Sequence, residues 1–118
     1  MNIENLELVK EVLVGCLLGD AFMETTTNGQ TWRLGIEQGK KQESYVYKKH
    51  EILSLLCNTI EPPRPKKDNV TFWTPRLEVL KEYGDAFYKP STDRKGGFIK
   101  IVPKQIKEWL TPRGLAFR

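Results

Sequence analysis

The sequence predicts an α+β domain with the element order α-β-β-α-β-β-α. Three observations predict it. Apolar residues recur at helical spacing across residues 5–19 and 43–57. The segment QTWRLGIEQ alternates cleanly, with Trp32, Leu34 and Ile36 on one side and Arg33, Gly35 and Glu37 on the other. An Asn28-Gly29 pair, a strong hairpin signal, stands just before it. A chain of 118 residues suffices for one domain, residues 1–118, with a modest core. It carries no internal repeat and no low-complexity segment.

The first helix spans residues 5–19. Leu6, Val9, Val12, Leu13, Cys16 and Leu17 make one wide apolar face, and Leu8, Val12, Gly15 and Gly19 make a second beside it. A helix apolar over both faces must be buried on both. Residues 21–27 read as a strand that turns at Asn28-Gly29 into QTWRLGIEQ. One side of this ribbon packs on helices, and the other is free and polar. Residues 39–42 form a polar connection to a second helix, 43–57, with Val46, Ile52, Leu53, Leu56 and Cys57 near one face. The prolines of IEPPRPKK suit an extended edge segment and not a central strand. Asp68-Asn69 turns into the strand VTFWT, and residues 76–87 form a third helix through Leu77, Leu80 and Phe87. A loop with Gly96-Gly97 leads to FIKIVP, followed by a short helix at residues 103–110. Thr111-Pro112, an N-cap with proline at the first helical position, announces one more helix, and six residues follow. A helix that short does not hold itself together, so it docks elsewhere or the chain is a piece of something longer.

The net charge is +4, and its distribution is more informative than its sum. Before residue 33 the only base is Lys10, against Glu4, Glu7, Glu11, Asp20 and Glu24. A basic surface behind a near-neutral helix suits an anionic partner, of which nucleic acid is the commonest, or is a solvated surface. Cys16 and Cys57 fall in apolar helical patterns and read as buried free thiols in a reducing, intracellular compartment. No Cys/His zinc spacing is present, the N-terminus lacks the basic region of a signal peptide, and no apolar stretch is long enough to span a bilayer. No membrane partner is therefore expected.

The stretch LVGCLLGDA, residues 13–21, carries the chemistry. Gly15 and Gly19 lie one helical turn apart and together cost roughly 2 kcal/mol of helix propensity relative to alanine. Close approach of a second backbone offsets that loss. Alternatively Gly19 is simply a helix C-cap, which explains Gly19 and not Gly15. Asp20 stands where the helix dipole is negative, a position disfavoured for a carboxylate by up to about 1 kcal/mol. A bound divalent cation reverses that argument; an exposed turn aspartate is the other reading.

LVGCLLGDA resembles the signature of the LAGLIDADG homing endonucleases, with Leu13, Gly15, Gly19, Asp20 and Ala21 where the motif wants them. WRLGIEQGKKQESYVYKKHEILSLLC is similar to the family's second strand and second helix. FIKIVPKQIKEWLTPRGLAF is similar to the segment that precedes the second motif in two-motif members. The resemblance implies a homing-endonuclease-like fold with a saddle-shaped antiparallel sheet over double-stranded DNA. It implies first helices paired at a dimer or pseudo-dimer axis through Leu8, Val12, Gly15 and Gly19. The partner on that axis is a second copy or a second LAGLIDADG half. It further implies site-specific cleavage of both strands, with Mg²⁺ held by Asp20 and the Gly19 carbonyl. Gln38 matches the position that organises water around the metal, and Lys100 the basic residue near the attacked phosphate. The alternative is a maturase-like or inactive half that binds DNA or RNA without cutting.

On this resemblance Glu24, Thr26, Asn28, Gln30, Arg33 and Glu37 are candidates for base edges, since the major groove admits a β-ribbon. Arg64, Lys66 and Lys67 are candidates on the second hairpin. Lys40, Lys41, Lys48 and Lys49 meet phosphates or are solvated. His50 reads as a surface or half-buried histidine rather than a general base. Such chains are often encoded in organellar or microbial introns. The chain carries one motif and resembles the front half of a two-motif member, so its activity in isolation depends on a second piece.

Overall fold

A computed structural model describes residues 2–92 and 97–118. Helix α1 (Ile3–Leu18) is capped by the Asn2 side chain, which accepts from the Asn5 N–H at 2.7 Å. Strands β1 (Phe22–Glu24) and β2 (Arg33–Gly39) follow, then a 3₁₀ turn at Lys40–Gln42 and α2 (Glu43–Leu53). Next come β3 (Arg64–Pro65), β4 (Asn69–Trp73) and α3 (Leu80–Phe87), with β5 (Tyr88–Pro90), β6 (Phe98–Lys100), α4 (Ile106–Trp109) and α5 (Pro112–Leu115) completing the chain. The antiparallel sheet has strand order β1-β2-β4-β3, and β5-β6 is a separate two-stranded ribbon. The α+β class and the predicted order hold, with the ribbon added. Among the described residues no helix is long and apolar enough to cross a membrane.

The first helix is buried nearly all round its C-terminal half, from Val12 to Leu17, as its two apolar faces require. Each fully buried Val or Leu there contributes about 1.5–3 kcal/mol, which exceeds the roughly 1 kcal/mol lost at each glycine. The alternation of β2 points Leu34 and Ile36 inward with Trp32, all at most 1% exposed. They meet Val70 and Phe72 of β4, Val46 and Leu53 of α2, and Leu80, Tyr83 and Phe87 of α3 in one cluster.

Several boundaries move, each for a local reason. The first strand ends at Glu24, because Thr25 and Thr27 turn the chain back on itself. Thr25 Oγ1 accepts from the N–H groups of Thr27 (3.3 Å) and Gly29 (3.0 Å). Asn28 (φ 57°) and Gly29 (φ 87°) do supply the left-handed pair, but inside a longer loop rather than a two-residue turn. Thr26 and Gln30 are therefore exposed loop residues, not strand residues as expected, and Asn28, expected at the turn, is exposed in the same loop. The second helix stops at Leu53, where the Ser54 N–H and Oγ both donate to the His50 carbonyl, at 2.9 and 2.7 Å. The third begins at Leu80. Thr74 prolongs the sheet instead, with its N–H on the Leu34 carbonyl (2.9 Å) and its Oγ1 accepting from the Leu34 N–H (3.0 Å). Of the expected Gly96-Gly97 loop, Gly96 lies outside the described residues.

The tail docks. Thr111 caps α5 by accepting from the Gly114 N–H at 3.0 Å. Arg113 pairs with Glu11 of α1. The Thr111 hydroxyl, then the Arg113 guanidinium, hold the Glu11 carboxyl below the usual carboxylate range. A Cβ on Gly15 would lie 1.8 Å from the Gly114 carbonyl oxygen, and one on Gly114 would lie 2.6 Å from the Glu11 carbonyl oxygen. The two helices thus touch backbone to backbone, through glycines.

Candidate active site and nucleic-acid interface

The end of α1 brings three of the expected site residues together. The N–H groups of Gly19 and Ala21 both donate to the Cys16 carbonyl at 3.0 Å, which folds the chain sharply and leaves Asp20 exposed at the corner. Gly19 closes the helix, but its φ of −105° is open to any residue. What requires glycine is space: a Cβ there would lie 2.6 Å from the Arg118 backbone. From the far end of the chain, β6 delivers Lys100, whose Nζ donates to the carbonyls of Ala21 (2.5 Å) and Gly19 (3.3 Å). Burial against the protein pushes the Lys100 pKa down, and the nearby Asp20 carboxylate pulls it back up.

Gln38 stands apart from this group, half-buried near the end of β2. Its Oε1 accepts from Lys49 Nζ at 2.7 Å. Lys49 is only 4% exposed. This corrects the expectation that Lys49 meets phosphates or solvent. It lies on the inward stripe of α2 with Val46, Ile52 and Leu53, all buried. The helical spacing of residues 46, 49 and 53 was the available signal, and the charge masked it. A cleft of about 240 Å³ joins Gln38, Gln42, Tyr45 and Lys49 on one side to Ala116, Phe117 and Arg118 on the other. Arg118 therefore neighbours both Gly19 and Gln38.

Cys16 lies between these groups electrostatically. Burial raises its thiol to about 11, while Lys49 and Lys100 both oppose the shift. It is a protonated, free thiol, and Cys57 is free as well.

Of the four small or apolar residues expected at a dimer axis, Val12 and Gly15 are buried and Leu8 and Gly19 are partly buried. The surface over Gly15 and Gly19 is occupied by this chain's own residues, Gly114 and Arg118.

The open face of the sheet differs from the wholly polar one expected. Phe22, Gly35 and Trp73 are cross-strand neighbours in one row. The two rings meet edge to face, centroids 5.0 Å apart, and close over Gly35. The next row pairs Glu24 with Arg33 at 2.7 Å, and the Arg33 guanidinium sits 3.9 Å over the Trp73 ring. Glu37, Thr71 and Arg64 make a third row. Arg64 also pairs with Glu61 at 2.6 Å, and Lys66 and Lys67 are exposed beside β3. A cleft of about 400 Å³ is lined by Arg33, Trp73, Thr59, Glu61 and Arg64 among others. His50 is half-buried against Phe72, edge to face at 5.1 Å.

Comparison with known proteins fits this arrangement. The chain is 31% identical to the DNA endonuclease I-ChuI of Chlamydomonas applanata, over 92% of this chain and 54% of the relative. It is 28% identical to the cytochrome b mRNA maturase bI2 of Saccharomyces cerevisiae, over 92% of this chain and 28% of the relative. The chain thus spans about half of the first relative and just over a quarter of the second. Residues 10–117 match the LAGLIDADG DNA endonuclease family, which takes in the C-terminal half of α1, both sheets and the docked α5. The chain belongs to the LAGLIDADG DNA endonuclease family.

Proposed function

We propose that this chain is one half of a site-specific double-strand DNA endonuclease that hydrolyses phosphodiesters with Mg²⁺. The observation that carries the reading is the corner after α1, where the exposed Asp20 carboxylate, two backbone carbonyls and the Lys100 ammonium converge. The donor set suits a cation, since a protein cation already lies against the Gly19 and Ala21 carbonyls beside Asp20. Among the described residues no group of three or more His, Cys, Asp or Glu side chains stands together; in this reading the partner half supplies a second carboxylate beside Asp20. Asp20 and the Gly19 carbonyl would hold a Mg²⁺ ion, which when bound would supply Lewis-acid polarisation of the phosphate and a more acidic water. Lys100 offsets the negative charge that grows on the attacked phosphate, and Gln38 orients water.

The partner half is best read as a second motif helix continuing from α5. The contact of Gly15 with Gly114 supports that reading over a homodimer through the same face, because α5 fills it. Duplex DNA lies across the open sheet face. Glu24, Arg33, Glu37 and Arg64 present to base edges from the strands, and Thr26, Asn28, Gln30, Lys66 and Lys67 from the loops. A second reading, RNA binding in the manner of a maturase, has the yeast relative's name in its favour.

The test is cleavage of a long-target DNA panel with Mg²⁺, by the chain alone and with a second polypeptide carrying the other motif helix. The native protein cuts and Asp20→Asn binds without cutting. Equal cutting by Asp20→Asn sinks the mechanism. Preferential retention of RNA over duplex DNA, with no cutting, favours the second reading.

A further inference from the structure

We propose that Lys49 is a positioning residue for Gln38, fixing its amide with Oε1 inward so that Nε2 serves the cleft as a hydrogen-bond donor. The geometric part stands alone; its catalytic consequence rests on the endonuclease reading above.

Lys49 is an anomaly in the core. Lys49 is nine-tenths or more buried, and none of the ion pairs among the described residues includes it. Its hydrogen-bond partner is a neutral amide oxygen at 2.7 Å. Desolvating an ammonium without a counter-charge is expensive, and an apolar side chain of similar volume is usually as stable or more so. Its neighbours on the helix stripe, Val46 and Leu53, are fully buried. The charge is therefore not there to hold the fold.

What it does hold is an orientation. The two ends of a glutamine amide are usually ambiguous. A lysine ammonium has three donors and no acceptor, so the contacting atom of Gln38 must be Oε1. Lys49 itself lines one wall of the cleft, so with Oε1 turned toward it Nε2, which can only donate, is the end left for the rest of the cleft, toward Gln42, Tyr45, Phe117 and Arg118. A donor there suits a phosphate oxygen or the lone pair of a water. Freed from Lys49, the amide presents donor or acceptor with equal ease, and the site loses its preorganisation.

Lys49→Met, Gln38→Ala and the double variant decide it. Lys49→Met melts at the same temperature or higher and binds duplex DNA within about twofold of native. Its single-turnover cleavage falls by about 10- to 100-fold, the scale of a misplaced positioning group. In the Gln38→Ala background the same substitution adds less than about twofold, since the two residues act as one unit. Lys49→Arg, which keeps a donor, restores part of the rate. Equal losses in both backgrounds, or no loss, overturn the proposal. A Lys49→Met chain that unfolds also overturns it, because the charge is then structural. If the native protein cuts no DNA, the endonuclease reading fails, and the side-chain amide resonances of Gln38 still decide the geometry. They shift in Lys49→Met and return toward native in Lys49→Arg; unchanged resonances refute the positioning role.

Discussion

Lys49 and Lys100 act on the same buried thiol, Cys16, and differ in nearly everything else. Lys100 keeps much of its surface in solvent while its ammonium rests on two backbone carbonyls at the end of α1. Cations are favoured at a helix C-terminus, and Asp20 lies beside it. Lys49 sits inside the protein against a single amide oxygen. The fold itself accounts for the first lysine. It does not account for the second, whose charge makes sense through what Gln38 does.

The strongest way to sharpen this contrast is Asp20→Asn. Cleavage falls by about 10³-fold or more, the scale of losing several kcal/mol of charge stabilisation. At the same time Lys100 loses the carboxylate that supports its charge, so its pKa drops further, while the Gln38 resonances stay in place. NMR titration of the lysine ammonium and the glutamine amide reads both.

Gly15→Ala disturbs the Lys49 side and spares the Lys100 side. Its Cβ would lie 1.8 Å from the Gly114 carbonyl oxygen, so α5 must shift, at about 1–3 kcal/mol. The tail walls the Gln38–Lys49 cleft, so hydrogen exchange quickens there and in α5. The Lys100 contacts, built from β6 and the helix end, stay protected.

Melting separates the two methionine variants. Lys100→Met strips the Gly19 and Ala21 carbonyls of their donor and loses about 1 kcal/mol. Lys49→Met loses nothing.

The smallest effect is in pH. Burial depresses the Lys100 pKa in the fold, so the unfolded chain holds that proton more tightly. The penalty for its charge is present at neutral pH and is relieved as pH rises from the folded pKa toward the ordinary 10.5. Native protein therefore gains stability relative to Lys100→Met across that alkaline window. Urea midpoints of the metal-free proteins measured against pH check it.

Local physics was legible in the chain, and long-range pairing was not. The alternation around Leu34 and Ile36, the two apolar faces of α1 and the Thr111-Pro112 cap all act within a few residues, and each appears where its pattern lies. The β5 strand, only Tyr88–Pro90, has no alternation to announce it and exists because Phe98–Lys100 pairs with it. Gly15 demanded a nearby backbone, but nothing local says that the backbone belongs to Gly114. In the candidate site, Asp20 stood out by its place past the end of α1 before the family resemblance gave it a role, while Gln38 and Lys100 came from the resemblance alone. Neither the Lys100 bonds to Gly19 and Ala21 nor the burial of Lys49 could be read from residue types. Charge suggested a surface for Lys49, and the packing of α2 overrode it.

The row of Phe22, Gly35 and Trp73 has a consequence for how this face drifts over generations. Along β2 the inward residues build the core and the outward ones do not, so Glu37, Thr71 and Arg64 are free to vary without loss of fold. Toward the Gly35 end that freedom disappears. Arg33 is committed to Glu24 and stacked on Trp73, and any side chain at position 35 would strike both rings, with a Cβ 2.9 Å from each. One end of the sheet is an alphabet that mutation rewrites cheaply, and at the other a change at Gly35 must displace the Phe22 and Trp73 rings with it.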